Sequence, residues 1–160
     1  MLHGDAKAAN AMLPLHGAAG AVLLDWQWCG GGASGAADVA YLLAGSLQPV
    51  AGAQLLRELR GDYWRALEGE LSARGIGAMY TEQAFLRDFR LEWLGFVSTT
   101  VLPSLLRGLT PAVMAVNMGR HGWLSFERCE ASLALLLQVT LSMVEEERQE
   151  REGTARGMSL

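Results

Sequence analysis

His3-Gly4-Asp5-Ala6-Lys7-Ala8-Ala9-Asn10, followed by Leu23-Leu24-Asp25-Trp26-Gln27, is the part of this 160-residue sequence that decides its fold. Four residues separate Asp5 from Asn10, and Asp25 follows fifteen residues after Asn10, at the end of an apolar run. This is the spacing of a phosphoryl-transfer loop followed by a metal-binding aspartate. The H-x-D-x-K-x-x-N letters arise by chance at on the order of one in 10⁵ positions under near-uniform residue usage. That rarity outweighs the plainer reading of a polar loop with Asn10 in a turn.

The residue types follow from the chemistry. Transfer to a hydroxyl needs a carboxylate that orients the nucleophile and accepts its proton, which suits Asp5. It also needs hard oxygen ligands for Mg²⁺ on the phosphates, and the Asn10 amide oxygen and the Asp25 carboxylate are of that kind. Lys7 can lie against the transferring phosphate and offset developing negative charge. His3 is expected to fix the loop backbone.

Working outward, residues 21–28 read as a short buried strand, with Asn10 to Leu13 as its hairpin partner and a turn through Pro14 to Gly20. A glycine-rich stretch, Gly30 to Gly35, comes next. Residues 36–47 read as a helix with Val39, Leu42, Leu43 and Leu47 on one side. Residues 53–74 repeat Leu55, Leu59, Tyr63, Leu67 and Leu71, widened by Leu56 and Trp64, and Gly75 and Gly77 are stop signals. Thr81 can cap a second long helix with Phe85, Phe89, Trp93, Phe96 and Val97 inside, which Pro103 should end or kink. Residues 111–118 suit a short helix. Ser125 can cap a last one facing inward through Phe126, Cys129, Leu133, Leu136, Val139 and Met143, and the tail after Gly153 should fray.

His3-Gly4-Asp5 with Asn10, then Leu23-Leu24-Asp25-Trp26-Gln27, resembles the aminoglycoside phosphotransferase and choline kinase superfamily, most closely its ecdysteroid-kinase-like group. Gly30-Gly31-Gly32 and Asp38-Val39-Ala40-Tyr41-Leu42 extend the likeness over residues 3–47. The resemblance implies Asp5 as catalytic base, Asn10 and Asp25 as Mg²⁺ ligands that place ATP, and Asp38 as an acid hydrogen-bonded to the loop backbone. The helix N-terminus gives Asp38 a second use, since an acid there meets free N–H groups. The fold implied is α+β, mostly α: part of the C-terminal lobe of a protein-kinase-like fold. Residues 1–35 would carry the catalytic loop and metal-binding segment, residues 36–150 a helical body, and residues 151–160 the tail. The departure is equally plain. No nucleotide-covering loop precedes Asp5, and Lys7 is the one lysine in the sequence, so the family's phosphate-anchoring strand lysine is missing.

Composition sets the outer bounds. A chain 51% hydrophobic and 19% charged has material for one globular domain and is not disordered. Two cysteines exclude a disulfide scaffold and a Cys-rich zinc site, and both read as packed small hydrophobes. A net charge of −4 argues against a nucleic-acid partner. No run reaches about 18 uncharged apolar residues, and Met-Leu-His-Gly-Asp lacks the form of a signal peptide. A membrane is therefore not expected, and the cytoplasm is the default setting. Glu145 to Glu152 holds five Glu against two Arg and reads as a solvated helix end. His16 and His121 read as turn and loop residues. Trp64, Phe85, Phe89, Trp93 and Trp123 read as core. Gly30 to Gly35 fits G-x-G-x-x-G, but no second parallel strand follows, so the stretch reads as the loop after Asp25 rather than a dinucleotide-binding turn.

The expectation is an ATP- and Mg²⁺-dependent phosphotransferase acting on a small-molecule alcohol, represented by its C-terminal lobe and nearly inactive alone. The alternative is a non-catalytic lobe remnant or binding module, which self-associates through the apolar seam left by the missing parts.

Overall fold

The hairpin at the head forms from β1 (Ala11–Met12) and β2 (Val22–Leu23), paired antiparallel with Ala11 opposite Leu23 and Met12 opposite Val22. The Leu24 N–H donates to the Asn10 carbonyl at 2.8 Å and adds a rung beyond the strands. Leu2 and Gly30 form an isolated antiparallel bridge, with backbone bonds of 2.9 and 3.2 Å, that lays the first residues along this head. The computed structural model describes residues 1–14, 20–31, 34–50, 52–120 and 124–157, with side chains at 78 and 154–157 outside that description. The hairpin turn with His16, the middle of the glycine-rich stretch (Gly32 and Ala33), His121 and Trp123 fall outside the described residues.

Among the described residues six α-helices make the body: α1 (Ala36–Ser46), α2 (Gly52–Ala73), α3 (Glu82–Phe96), α4 (Leu102–Leu106), α5 (Pro111–Asn117) and α6 (Glu130–Gly157). The described residues are thus mostly helical with one small sheet. The α3 stripe is the centre of the core. Phe85, Phe89 and Trp93 are fully buried at the four-residue spacing that keeps side chains on one helix face. Their rings run in a ladder, Phe85 to Phe89 at 6.1 Å and Phe89 to Trp93 at 5.9 Å. Trp64 of α2 stacks on Phe85 at 5.4 Å, and Tyr41 of α1 meets Phe96 at 5.2 Å. α1 lies on α3 through its small residues: Ala36, Ala40 and Ala44 are completely buried, which lets the two backbones come close. Leu136, Val139 and Met143 of α6 close the other side. Arg90 of α3, a buried arginine at 8% exposure, forks onto both carboxylate oxygens of Glu150 in α6 at 3.0 and 2.9 Å.

Helix ends follow local chemistry. The Thr81 side chain accepts from the Ala84 N–H and starts α3, and the Thr110 side chain accepts from Val113 before Pro111 opens α5. Gly75, at φ +72°, ends α2 in the left-handed region. Pro103 does not stop the helix. Its missing N–H is absorbed by a π-helical turn, Val97–Val101, in which the Leu102 N–H reaches the Val97 carbonyl. The axis then turns by 110° between Leu106 and Pro111.

Several expectations are corrected. The 21–28 run is not buried: Val22, Leu23 and Leu24 are 59%, 37% and 42% exposed, because no described element packs on this two-stranded ribbon. In α2 the buried residues are Leu56 and Trp64, while Leu55 and Leu59 stand 40% and 43% exposed. A strict four-residue series precesses by about 40° per step around a 3.6-residue helix, so it cannot stay on one face. Ser125 does not cap the last helix. It opens a 3₁₀ turn, Ser125–Glu127, its hydroxyl accepts from Gln48 at 3.1 Å, and α6 starts at Glu130. Cys29 is exposed and Cys129 half-buried, so neither is packed in the core. α6 continues to Gly157, beyond the expected fraying point at Gly153. Among the described residues no single helix is long and apolar enough to cross a membrane.

Candidate functional site

The geometry of the 3–10 loop is set by one acid from the helical body. Asp38, in the first turn of α1, accepts the His3 N–H on Oδ2 at 2.6 Å and the Gly4 N–H on Oδ1 at 2.9 Å. This is the contact the resemblance implies for Asp38. His3 is 2% exposed, and its ring ties the loop to the second strand. Nδ1 accepts the Asp5 N–H at 3.3 Å, so Nε2 carries the proton and donates to the Leu24 carbonyl at 2.8 Å. Gly4 sits at φ +81°, and a Cβ there would lie 2.4 Å from the Trp28 carbonyl oxygen. Only glycine lets the loop pass this close to the segment after Asp25.

Asp5, Lys7 and Asn10 come together on this loop. Lys7 Nζ lies 2.6 Å from Asp5 Oδ2, and Asn10 Nδ2 donates to the same oxygen at 3.0 Å and to the Asp5 carbonyl at 2.9 Å. Tyr41, from α1, donates its hydroxyl to Asp5 Oδ1 at 3.0 Å. Burial pushes the Asp5 carboxyl up, but the hydrogen bonds from Lys7, Tyr41 and Asn10 and the Lys7 charge outweigh it. The net effect holds Asp5 below the usual carboxylate range, and it stays an ionised acceptor. Burial, then the Asp5 charge and hydrogen bond, push the Tyr41 phenol well up, so it remains a donor.

Asp25 stands apart from this cluster. Its backbone is left-handed, at φ 64° and ψ 58°, the one non-glycine residue with positive φ among those described. Asp tolerates that region better than most residues but still at a cost. It is exposed, and its carboxylate has no hydrogen bond or ion pair among the described residues. The backbone bond from Leu24 to Asn10 connects the two segments directly.

Two oxygens suit a hard cation. Both acceptors that face the Asn10 amide are oxygens of Asp5, so the amide nitrogen must point there. The Asn10 amide oxygen is left without a protein donor among the described residues, and the Asp25 carboxylate is equally unengaged. An amide oxygen and a carboxylate are both hard-oxygen ligand types of the kind that Mg²⁺ takes together with several waters. Among the described residues no group of three or more His, Cys, Asp and Glu gathers to hold a metal on its own.

A groove of about 460 Å³ runs beside the cluster, between the loop, α1 and the α3 end. Gly4, Asp38, Tyr41, Glu92, Phe96 and Thr100 are in its walls. The π-helical turn contributes Thr100, so the irregularity at Pro103 shapes this groove. At the other end of the glycine-rich stretch, Ser34 Oγ donates to Asp88 of α3 at 3.0 Å and anchors it to the body.

The sequence pattern placed Asp5, Lys7 and Asn10 side by side, and the structure brings them into contact. Tyr41 was missed as a site residue. The signal lay in its offset from Asp38: three residues apart on a helix share a face, so an acid gripping the loop backbone brings Tyr41 to the same loop. Scans against protein-family models, curated proteins and solved structures each find no match for this chain.

Proposed function

We propose that this chain is the C-terminal-lobe part of an ATP-dependent phosphotransferase acting on the hydroxyl of a small molecule. The observation that carries the reading is the Asp5 carboxylate, held ionised by Lys7, Tyr41 and Asn10 on a loop pinned by Asp38. Asp5 would accept a hydrogen bond from the acceptor hydroxyl, orient its oxygen and take its proton as the bond to phosphorus forms. Lys7 balances the charge of Asp5 before the reaction and that of the phosphoryl group during it. Asn10 and Asp25 would hold Mg²⁺, which when bound supplies charge neutralisation on the ATP phosphates. The groove beside Tyr41 falls within the usual size of a small-molecule site, about 300–1,000 Å³. Little turnover is expected from this chain alone, because positioning of the nucleotide is most of this catalysis.

The test is calorimetric titration with ATP, with and without Mg²⁺, on the chain and on Asn10→Ala and Asp25→Asn. Mg²⁺-dependent binding that both substitutions weaken supports the reading. Binding that neither substitution changes, or no binding, refutes it.

One observation favours a non-catalytic associating module. The head exposes Met12, Leu13, Val22 and Trp28 at 59%, 73%, 59% and 68%. Met12 and Val22 are cross-strand partners, and exposed apolar patches mark interaction surfaces. Sedimentation at rising concentration separates the readings: a chain that self-associates without Mg²⁺-dependent ATP binding fits the second.

A further inference from the structure

The acceptor capacity of Asp5 is nearly used up. A carboxylate offers about four lone-pair positions, two on each oxygen. Oδ2 receives both Lys7 Nζ at 2.6 Å and Asn10 Nδ2 at 3.0 Å. Oδ1 receives the Tyr41 hydroxyl at 3.0 Å. One position is left, on Oδ1, beside the phenol.

We propose that Tyr41 is a positioning residue: it turns the Asp5 carboxylate so that one Oδ1 lone pair remains for the acceptor hydroxyl. This rests on the phosphotransferase reading above and names a residue that the loop motif does not contain. Tyr41 is suited to the task. It stands on the helix face that carries Asp38, so one face of α1 fixes both the loop backbone and the carboxylate. Its ring is set against Phe96 at 5.2 Å, packed on the edge of the core. A phenol has a single O–H donor. With that donor committed to Oδ1, rotation of the carboxylate about its Cβ–Cγ bond would break the bond. The acceptor hydroxyl therefore meets an oxygen whose direction is already fixed, which is the preorganisation that proton acceptance requires.

The experiment compares wild type with Tyr41→Phe, which keeps the ring against Phe96 and removes only the hydroxyl. Carbon-13 carboxyl shifts of Asp-labelled chain, assigned with Asp5→Asn, follow the Asp5 titration without any need for turnover. The expected result is a rise of the Asp5 midpoint toward the ordinary value in Tyr41→Phe, with a matching small fall in the thermal midpoint near neutrality that closes on acidification. Phosphoryl transfer to added alcohols should lose about tenfold in kcat, the worth of one hydrogen bond to a charged group. KM for the alcohol should hold, and the acid limb of the pH profile should move up with Asp5. An unchanged Asp5 midpoint overturns the proposal, whatever the turnover. A raised midpoint with wild-type kcat also overturns it. Absence of Mg²⁺-dependent ATP binding by wild type refutes the phosphotransferase reading and the positioning role with it, while the raised midpoint still establishes the contact, so the two failures are read apart.

Discussion

Asp38→Ala should be the most informative single change in the head. It removes both acceptors that hold the 3–10 loop against α1. The His3 N–H belongs to a residue only 2% exposed and would have no water to turn to, which costs about 2 kcal/mol. The Gly4 N–H belongs to an exposed residue and can be solvated, so its loss is nearer about 1 kcal/mol. Removing an acid from the first turn of α1 adds about 0.5 kcal/mol through the helix dipole. The sum, about 3.5 kcal/mol, corresponds to a fall of roughly 7–14 °C in Tm for a domain of this size. Thermal unfolding by circular dichroism measures it, and amide hydrogen exchange should show protection lost at His3 and Gly4 first. Asp38→Asn keeps one acceptor oxygen and should lose about half as much. A Tm for Asp38→Ala within about 2 °C of wild type, with both amides still protected, would refute the reasoning.

Gly4→Ala should cost at least about 3 kcal/mol, read from the urea midpoint, since a left-handed backbone and a contact with the Trp28 carbonyl combine there. Asp5 gives a pH signature. Its folded midpoint lies below the ordinary 3.8, so its ionised form adds stability that is complete above that value and lost as pH falls through the folded midpoint. The stability gap between wild type and Asp5→Asn should therefore be widest near neutrality and close on acidification; a gap constant down to about pH 3 counts against the Lys7, Tyr41 and Asn10 contacts. Arg90→Ala should lose about 2 kcal/mol in chemical unfolding, because the fork to Glu150 ties the far half of α6 to α3.

The sequence carried the helical body most clearly where large side chains repeat on one face. Phe85, Phe89, Trp93 and Phe96 are inside as their spacing predicts, and Thr81 caps α3. Leucine repeats were less decisive. Leucine occupies half-exposed faces as readily as buried ones, so Leu55 and Leu59 could not be told from Leu56 until a neighbour covered one side. The site followed the same division. Asp5, Lys7 and Asn10 are five residues apart at most, and a short loop brings such groups together whatever lies around it.

By itself, then, the sequence determined the local elements: the hairpin partner of Val22–Leu23, the helix start at Thr81, the short helix from Pro111, and the closeness of Asp5, Lys7 and Asn10 along one short loop. These depend on backbone conformation and on hydrogen bonds between residues near in sequence, which residue type fixes directly. Tertiary structure alone decided which face of α2 is buried, that the apolar 21–24 segment lies at the surface, and that Tyr41 reaches Asp5 from thirty-six residues away. Each of these depends on what packs against what. A residue's type states how readily it can be buried or bonded, and only the neighbouring element supplies the surface or the partner.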